Sequence, residues 1–135
     1  MSTTLSDKAR AFLSERRYAV MATIHKDGST QQTVMWYLLE GDTIIMNTKK
    51  GRIKDRNIRR DSRISICVQE GYNYVTISGN AELDDDPEIG QRDIYRLAVR
   101  YNGEATAQHQ MAGEFAKEQR ETIRLPITHV IEDLE

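Results

Sequence analysis

Apolar positions change their spacing several times along the chain. In "LSDKARAFLSERR", Ala9, Phe12, Leu13 and the stem of Arg16 share one helical face, the stripe of an amphipathic helix. Ser6 suits its N-cap and Asp7 its first turn. From Tyr18 onward the pattern becomes that of strands. "YAVMATIH", "TQQTVMWYLLE", "TIIMNT", "SRISICVQE", "YVTISGNAEL" and "TIRLPITHVIEDL" are rich in β-branched, aromatic and aliphatic residues, and the pattern predicts six strands. Asp27-Gly28 and Gly41-Asp42 mark hairpin turns. Gly79 marks a bulge or a close approach, and Pro126 makes the last strand an edge or bulged one.

Helical spacing returns in three places. Between Arg52 and Arg60 the only apolar residues are Ile53 and Ile58, which predicts a short helix with a mostly wet surface. Asp86 as cap and Pro87 at the first position open a second helix, continued by Ile94, Leu97, Ala98 and Tyr101. After "NGE", the segment "ATAQHQMAGEFAKEQRE" predicts another, with Met111 and Phe115 as its apolar contacts. Six strands linked mostly by hairpins predict a mainly β fold, a small six-stranded antiparallel barrel with peripheral helices.

Composition narrows the class. A chain of 135 residues fits a single domain over residues 1–135 and is long enough to bury a core without staples. Cys67 is the only cysteine and lies in the apolar run "RISICV", so it reads as a buried small hydrophobe. "MSTTLSDKARAFLSERR" has no apolar signal core, and no run approaches the roughly 18 apolar residues of a membrane span. The expected location is cytoplasmic, with no membrane partner. His25, His109 and His129 are far apart, without the spacing of a zinc site. "DDDPE" lacks the spacing of a calcium loop and suits a helix N-terminus. No nucleophile elbow, phosphate loop or dinucleotide fingerprint is present.

Charge is what changes this picture. The chain carries a net charge of −2, yet the window Lys49–Arg63 holds eight Lys or Arg against Asp55 and Asp61. That window alone is +6 and the rest of the chain −8. Three readings are open. The stretch is a solvated helix face, a nucleic-acid patch or a phosphate site. The negative total argues against general nucleic-acid binding, and no stacking aromatics are interleaved with the charges. For a phosphate site, "TIIMNT" ends in Asn47 and Thr48, and the following helix offers free N–H groups with Arg52 and Lys54 in its first turn. Lys49, Lys50, Arg56, Arg59 and Arg60 exceed what one phosphate requires, so they imply a longer anionic tail or simple solubility.

At these residues the chain resembles the flavin- and deazaflavin-dependent oxidoreductases of the pyridoxamine 5'-phosphate oxidase-like split β-barrel superfamily. The resemblance covers nearly the whole chain and rests on an ordered set: a leading helix, "ATIHKDGSTQQTVMWY", "IIMNT" and "KDRNIRRDSR". Ser62 stands where the family often has Pro. Within the superfamily the chain is most similar to the short group B enzymes that use coenzyme F420, including F420-dependent biliverdin reductases. It has no counterpart of the C-terminal substrate segment of pyridoxamine phosphate oxidases, which points away from that activity.

The resemblance implies a split barrel, a homodimer and cofactor grooves at the subunit interface. It implies that Gln32, Thr33, Val34, Met35 and Trp36 line the cofactor ring. Asn47 and Thr48 would meet the ribityl-phosphate, and Arg52, Lys54 and Asn57 the phosphate end. The strand Tyr74–Gly79 would supply the second wall. F420 continues past its phosphodiester into an oligoglutamate tail, which Arg56 and Arg60 would face, whereas FMN ends at one phosphate. The implied activity is hydride transfer from reduced F420 to a small electrophilic substrate of biliverdin, quinone or enone type. FMN-dependent oxidoreduction and a non-catalytic protein that binds flavin or haem are the other readings. No catalytic side chain is required, because the cofactor carries the reactivity.

Overall fold

The computed structural model describes residues 2–135. Its first helix, α1 (Asp7–Ser14), is capped as its sequence predicts, with the Ser6 hydroxyl accepting from the Ala9 amide at 3.0 Å. It ends at Ser14 rather than continuing to Arg17, and it buries Ala9 and Leu13.

The six predicted strand runs form nine strands. β1 (Ala19–Ile24), β2 (Thr30–Met35), β3 (Leu38–Glu40), β4 (Thr43–Lys49), β5 (Arg63–Glu70), β6 (Asn73–Asn80), β7 (Glu82–Asp84), β8 (Arg120–Pro126) and β9 (His129–Asp133) pair only antiparallel. They make a five-stranded sheet, β2-β1-β5-β6-β9, and a four-stranded sheet, β3-β4-β8-β7. Neither sheet closes on itself among the described residues. The architecture is therefore two open antiparallel sheets with peripheral helices, rather than one closed six-stranded barrel.

Three of the predicted runs bend and pass from one sheet to the other, which accounts for the difference. At the first bend a backbone N–H bonds a side chain, and at the other two the pairing of β5 with β6 and of β4 with β8 runs one residue further before the chain turns. Tyr37 N–H donates to the Tyr101 hydroxyl (3.1 Å), Ala81 N–H to Ser62 O (2.7 Å) and Ile127 N–H to Asp42 O (2.9 Å). A buried amide must be paired, and these bonds allow the corners to be buried. Gly79 lies in close approach as expected, since a Cβ there would stand 3.1 Å from Thr128 Oγ1. Pro126 does not mark an edge strand. β8 lies between β4 and β7, and Pro126 is its last residue, beyond the short reach of β7.

The sheets enclose a core in which Met21, Ile66 and Ile77 face Ile44, Met46 and Ile123. Each such fully buried side chain contributes about 1.5–3 kcal/mol. Cys67 is not in that core. The alternation of β5 buries Ile66 and Val68 and leaves Cys67 half-buried on the outward face.

The helices are α2 (Ile53–Arg60), α3 (Pro87–Asn102) and α4 (Glu104–Ala112). Asp86 caps α3 as predicted, accepting from the Glu88 amide at 2.9 Å. The helix expected over "ATAQHQMAGEFAKEQRE" is shorter. It stops before Gly113, a 3-10 turn follows over Phe115–Lys117, and Arg120 already belongs to β8. No helix among the described residues is long and apolar enough to cross a membrane.

Candidate functional site

β4 delivers Asn47, Thr48 and Lys49 to the start of α2, and the β2–β3 corner delivers Val34, Met35 and Trp36 to the same place. With Arg52 and Lys54 they line a cleft of about 270 Å³, closed on its far side by Ile94, Leu97, Phe115 and Arg120. Seven of the predicted residues thus meet in one cavity: Val34, Met35, Trp36, Asn47, Thr48, Arg52 and Lys54. A second hollow shares Lys49, Arg52 and Lys54 with the first and adds Thr33, Lys50 and Arg56. A third continues from Ile53 and Arg56 to Asn57, Arg60, His25 and Lys26. Joined through these shared residues, they make a trough with an apolar end at Trp36 and a mainly cationic end at Arg60, where Asp27 also lines it. Gln32 lies outside it, exposed on the outward face of the five-stranded sheet opposite Ala22.

The apolar end is held from α3. The Trp36 ring stacks on Tyr101 at 5.2 Å between centroids and 7° between planes. Tyr101 also accepts from Tyr37 N–H and gives its own proton to the Arg17 carbonyl. The tyrosine therefore fixes both the corner and the indole it carries. Beside it, Asn47 is buried, and its Nδ2 donates to Gly90 O at 2.9 Å. Asn47 Oδ1 and Thr48 Oγ1 are buried without a hydrogen-bond partner. Unpaired buried oxygens at a cavity wall suit a ligand that supplies donors or an ordered water.

The eight cations of Lys49–Arg63 divide into two sets. Arg63 pairs with Asp61 (2.6 Å) and Lys49 approaches Glu118 (3.6 Å). Arg59 is turned inward, bonding Asp55 at 2.7 Å and Glu121 at 2.5 Å. Lys50, Arg52, Lys54, Arg56 and Arg60 have no carboxylate within ion-pair distance among the described residues. Arg60 instead donates to Ile24 O (2.7 Å) and Asn57 Oδ1 (2.6 Å). Asn57 is buried and also donates to Thr23 Oγ1 at 3.0 Å, so its amide is occupied within the protein. The Lys54 ammonium is half-buried, and its pKa is lowered by burial first and then by Arg52 and Arg120.

α2 is less wet than its sequence suggests. Ile58 is buried, and so are Asp55 and Asn57. Asp55 accepts from Gly51 N–H at 2.7 Å and so ties down the loop that enters the helix. The fully buried Glu121 lies opposite Thr48 on β8. Burial, then the neighbouring Asp55 carboxylate, pushes its pKa up to about 7. Asp55 is shifted the other way. Burial opposes that shift, but hydrogen bonds from Glu121, Gly51 N–H and Arg59 outweigh it.

This arrangement makes stability depend on pH. The unfolded chain releases the Glu121 proton near the ordinary value of 4.5, whereas the folded chain holds it to about 7. Between those values the folded state binds the extra proton, so this contribution is full below the window and lost as pH rises through it. Glu121→Gln is expected to flatten the fall in stability between pH 5 and 8. Relative to the parent, the variant should gain on the order of 1–3 kcal/mol across that range, since one pKa unit corresponds to about 1.4 kcal/mol. Urea denaturation of both proteins at the two pH values measures it, and parallel profiles would place the titration elsewhere.

The family model described as pyridoxamine 5'-phosphate oxidase matches residues 5–131. Over 102 residues the chain is 29% identical to an F420H2-dependent biliverdin reductase of Mycobacterium tuberculosis, covering 74% of each chain. Among solved structures, it resembles a conserved hypothetical protein of Mycobacterium tuberculosis with TM-score 0.80 and 27% identity, over 97% of this chain and 86% of that one. An F420 reductase shares the fold with TM-score 0.76 and 22% identity, over 94% and 98% of the two chains.

Proposed function

The chain belongs to the pyridoxamine 5'-phosphate oxidase family, and from that premise we propose that it is an F420-dependent reductase of a small electrophilic substrate. The observation that carries this reading is the trough, whose apolar end suits a planar ring and whose cationic length exceeds what one phosphate needs. The similarity to the F420H2-dependent biliverdin reductase supports it. Val34, Met35 and Trp36 would meet the ring, and Leu97 and Phe115 would keep water from it. Asn47 and Thr48 would accept from or donate to the polyol chain, and Arg52 and Lys54 would hold the phosphate. When bound, the reduced deazaflavin supplies the hydride. The protein orients it and excludes water, which accounts for a site without a triad. Biliverdin, quinones and activated enones fit this chemistry.

Arg56 and Arg60 extend the trough past the phosphate position, and here they would follow the glutamate tail. Exposed charges contribute little each and are screened by salt. The double substitution Arg56→Ala with Arg60→Ala should therefore lower F420 affinity modestly, more at low than at high ionic strength, and leave FMN affinity almost unchanged. Titration of both cofactors at two salt concentrations tests this. Equal losses for both would detach these arginines from the tail. A parent protein that binds FMN tightly and F420 not at all would favour the FMN reading, for which the ring and phosphate parts of the trough serve equally.

We further propose a homodimer built on the outward face of the five-stranded sheet. Val34, Val20, Cys67, Thr76 and Ile131 are consecutive register partners across it, and Val34 is 67% and Ile131 47% exposed. Val34 belongs both to this row and to the trough, so a second subunit seated here would wall the ring end. Sedimentation should return twice the chain mass of 15.5 kDa, and a monomer at micromolar concentration would sink the proposal.

A further inference from the structure

Arg120 enters the trough from β8, beside its β4 register partner Lys49, and nothing in the charge-rich window points to it. We propose that Arg120 is a third anion-binding cation of this site, positioned by Glu118 and Phe115 to meet the same phosphate as Arg52 and Lys54. The proposal rests on the reading of the trough as the site of a phosphate-bearing cofactor and adds a residue from outside the basic window.

Three observations carry it. The guanidinium is held in place. Its Nε and Nη2 both donate to Glu118 Oε1, at 3.2 and 2.8 Å, and its carbon stands 4.8 Å from the centroid of the Phe115 ring. The side chain is only 14% exposed, so little rotamer freedom remains to be lost on binding. The bonding is also one-sided. Nη1 makes no hydrogen bond among the described residues, so one arm of the fork is unspent. Finally, the local charge is unbalanced. Lys49, Arg52, Lys54 and Arg120 all line the cleft, and Glu118 is the one carboxylate bonded to any of them.

The anchoring of the Arg120 segment fits this role. Gln91 Nε2 on α3 donates to both Phe115 O and Glu118 O, at 2.9 and 3.0 Å. Lys50 N–H donates to Gln119 O at 2.8 Å, tying the stretch before β8 to the loop before α2. The segment that carries Arg120 is therefore fixed both to α3 and to the loop that leads into α2. Among the cations of the cleft, Lys54 and Arg120 are partly buried, and like charges that are partly desolvated favour an anion beside them. Asn47, whose Oδ1 is buried without a partner, lines the same cleft, so the anion would belong to a larger molecule with hydroxyl groups.

The test uses Arg120→Gln and Arg120→Lys, with inorganic pyrophosphate, FMN and F420 as probes in calorimetric titrations, and with the Lys54 ammonium followed by NMR. Arg120→Gln should weaken pyrophosphate and both cofactors by at least about tenfold, the effect of one hydrogen bond to a charged group. Arg120→Lys keeps the charge but not the fork, and should fall between the two. Lys54 should titrate higher in Arg120→Gln, because a neighbouring cation is gone. Parent-like affinity of Arg120→Gln for all probes overturns the proposal; if that variant does not fold, parent-like affinity of Arg120→Lys does so. The two readings separate cleanly. Pyrophosphate binding that depends on Arg120, without binding of either cofactor, upholds the anion site and removes the cofactor assignment. Cofactor binding that ignores Arg120 does the reverse.

Discussion

Lys54→Ala is expected to weaken cofactor binding by roughly 1.5–3 kcal/mol, about 10- to 150-fold, and to leave the fold intact. Lys54 lies in the first turn of α2 and lines both the ring cleft and the hollow beside it. It has no carboxylate partner among the described residues. Burial, then Arg52 and Arg120, lower its pKa, which is the signature of a cation held among cations. An anion reverses that balance, so the interaction with phosphate is charge-assisted and partly desolvated. Removing the ammonium in the absence of ligand relieves repulsion and breaks no bond, so the urea midpoint should stay the same or rise slightly. Titration with F420 and FMN, paired with denaturation, measures both halves of the expectation. Unchanged affinity would take Lys54 out of the site.

Gly90→Ala should cost about 2–3 kcal/mol of stability or more, although alanine is the better helix former by about 1 kcal/mol. A Cβ on Gly90 would stand 2.0 Å from the carbonyl oxygen of Arg120 and 2.5 Å from its carbon. Both atoms are backbone, at the start of β8 where Arg120 is paired with Lys49 of β4, so neither can move without disturbing that pairing. α3 must therefore retreat from the sheet. That would break the Asn47–Gly90 hydrogen bond and shift Ile94 and Leu97, which line the cleft. Cofactor affinity should fall together with stability. A parent-like urea midpoint would mean that α3 can settle further from β8 at no cost.

Much of this architecture can be read locally. Ser6 and Asp86 cap their helices as the residue types suggest. The hydrophobic runs of β1, β4 and β5 became strands with nearly the expected bounds. The concentration of cations after β4 points to the cleft in which Arg52 and Lys54 converge. These features follow from backbone preference, side-chain periodicity and charge, which act over a few residues.

What the sequence alone determined is the set of strands, the caps and the place of the positive charge. The tertiary structure decided where the strand runs bend and which cations are free. Apolar character continues through Tyr37, yet its amide bonds the Tyr101 hydroxyl, 64 positions away, between the end of β2 and the start of β3. Glu121 looks like one more surface carboxylate, and Arg59 like one more exposed cation. Bringing α2 beside the start of β8 pairs Arg59 with the buried Glu121 and turns it from the trough, while burial and the neighbouring Asp55 raise the Glu121 pKa. Arg120, in a stretch that reads as helix, reaches the site because the chain stops being helical before Gly113 and joins β4 as a strand. Long-range pairing chose these partners, since a buried charge or amide must find one and local sequence does not specify which lies within reach.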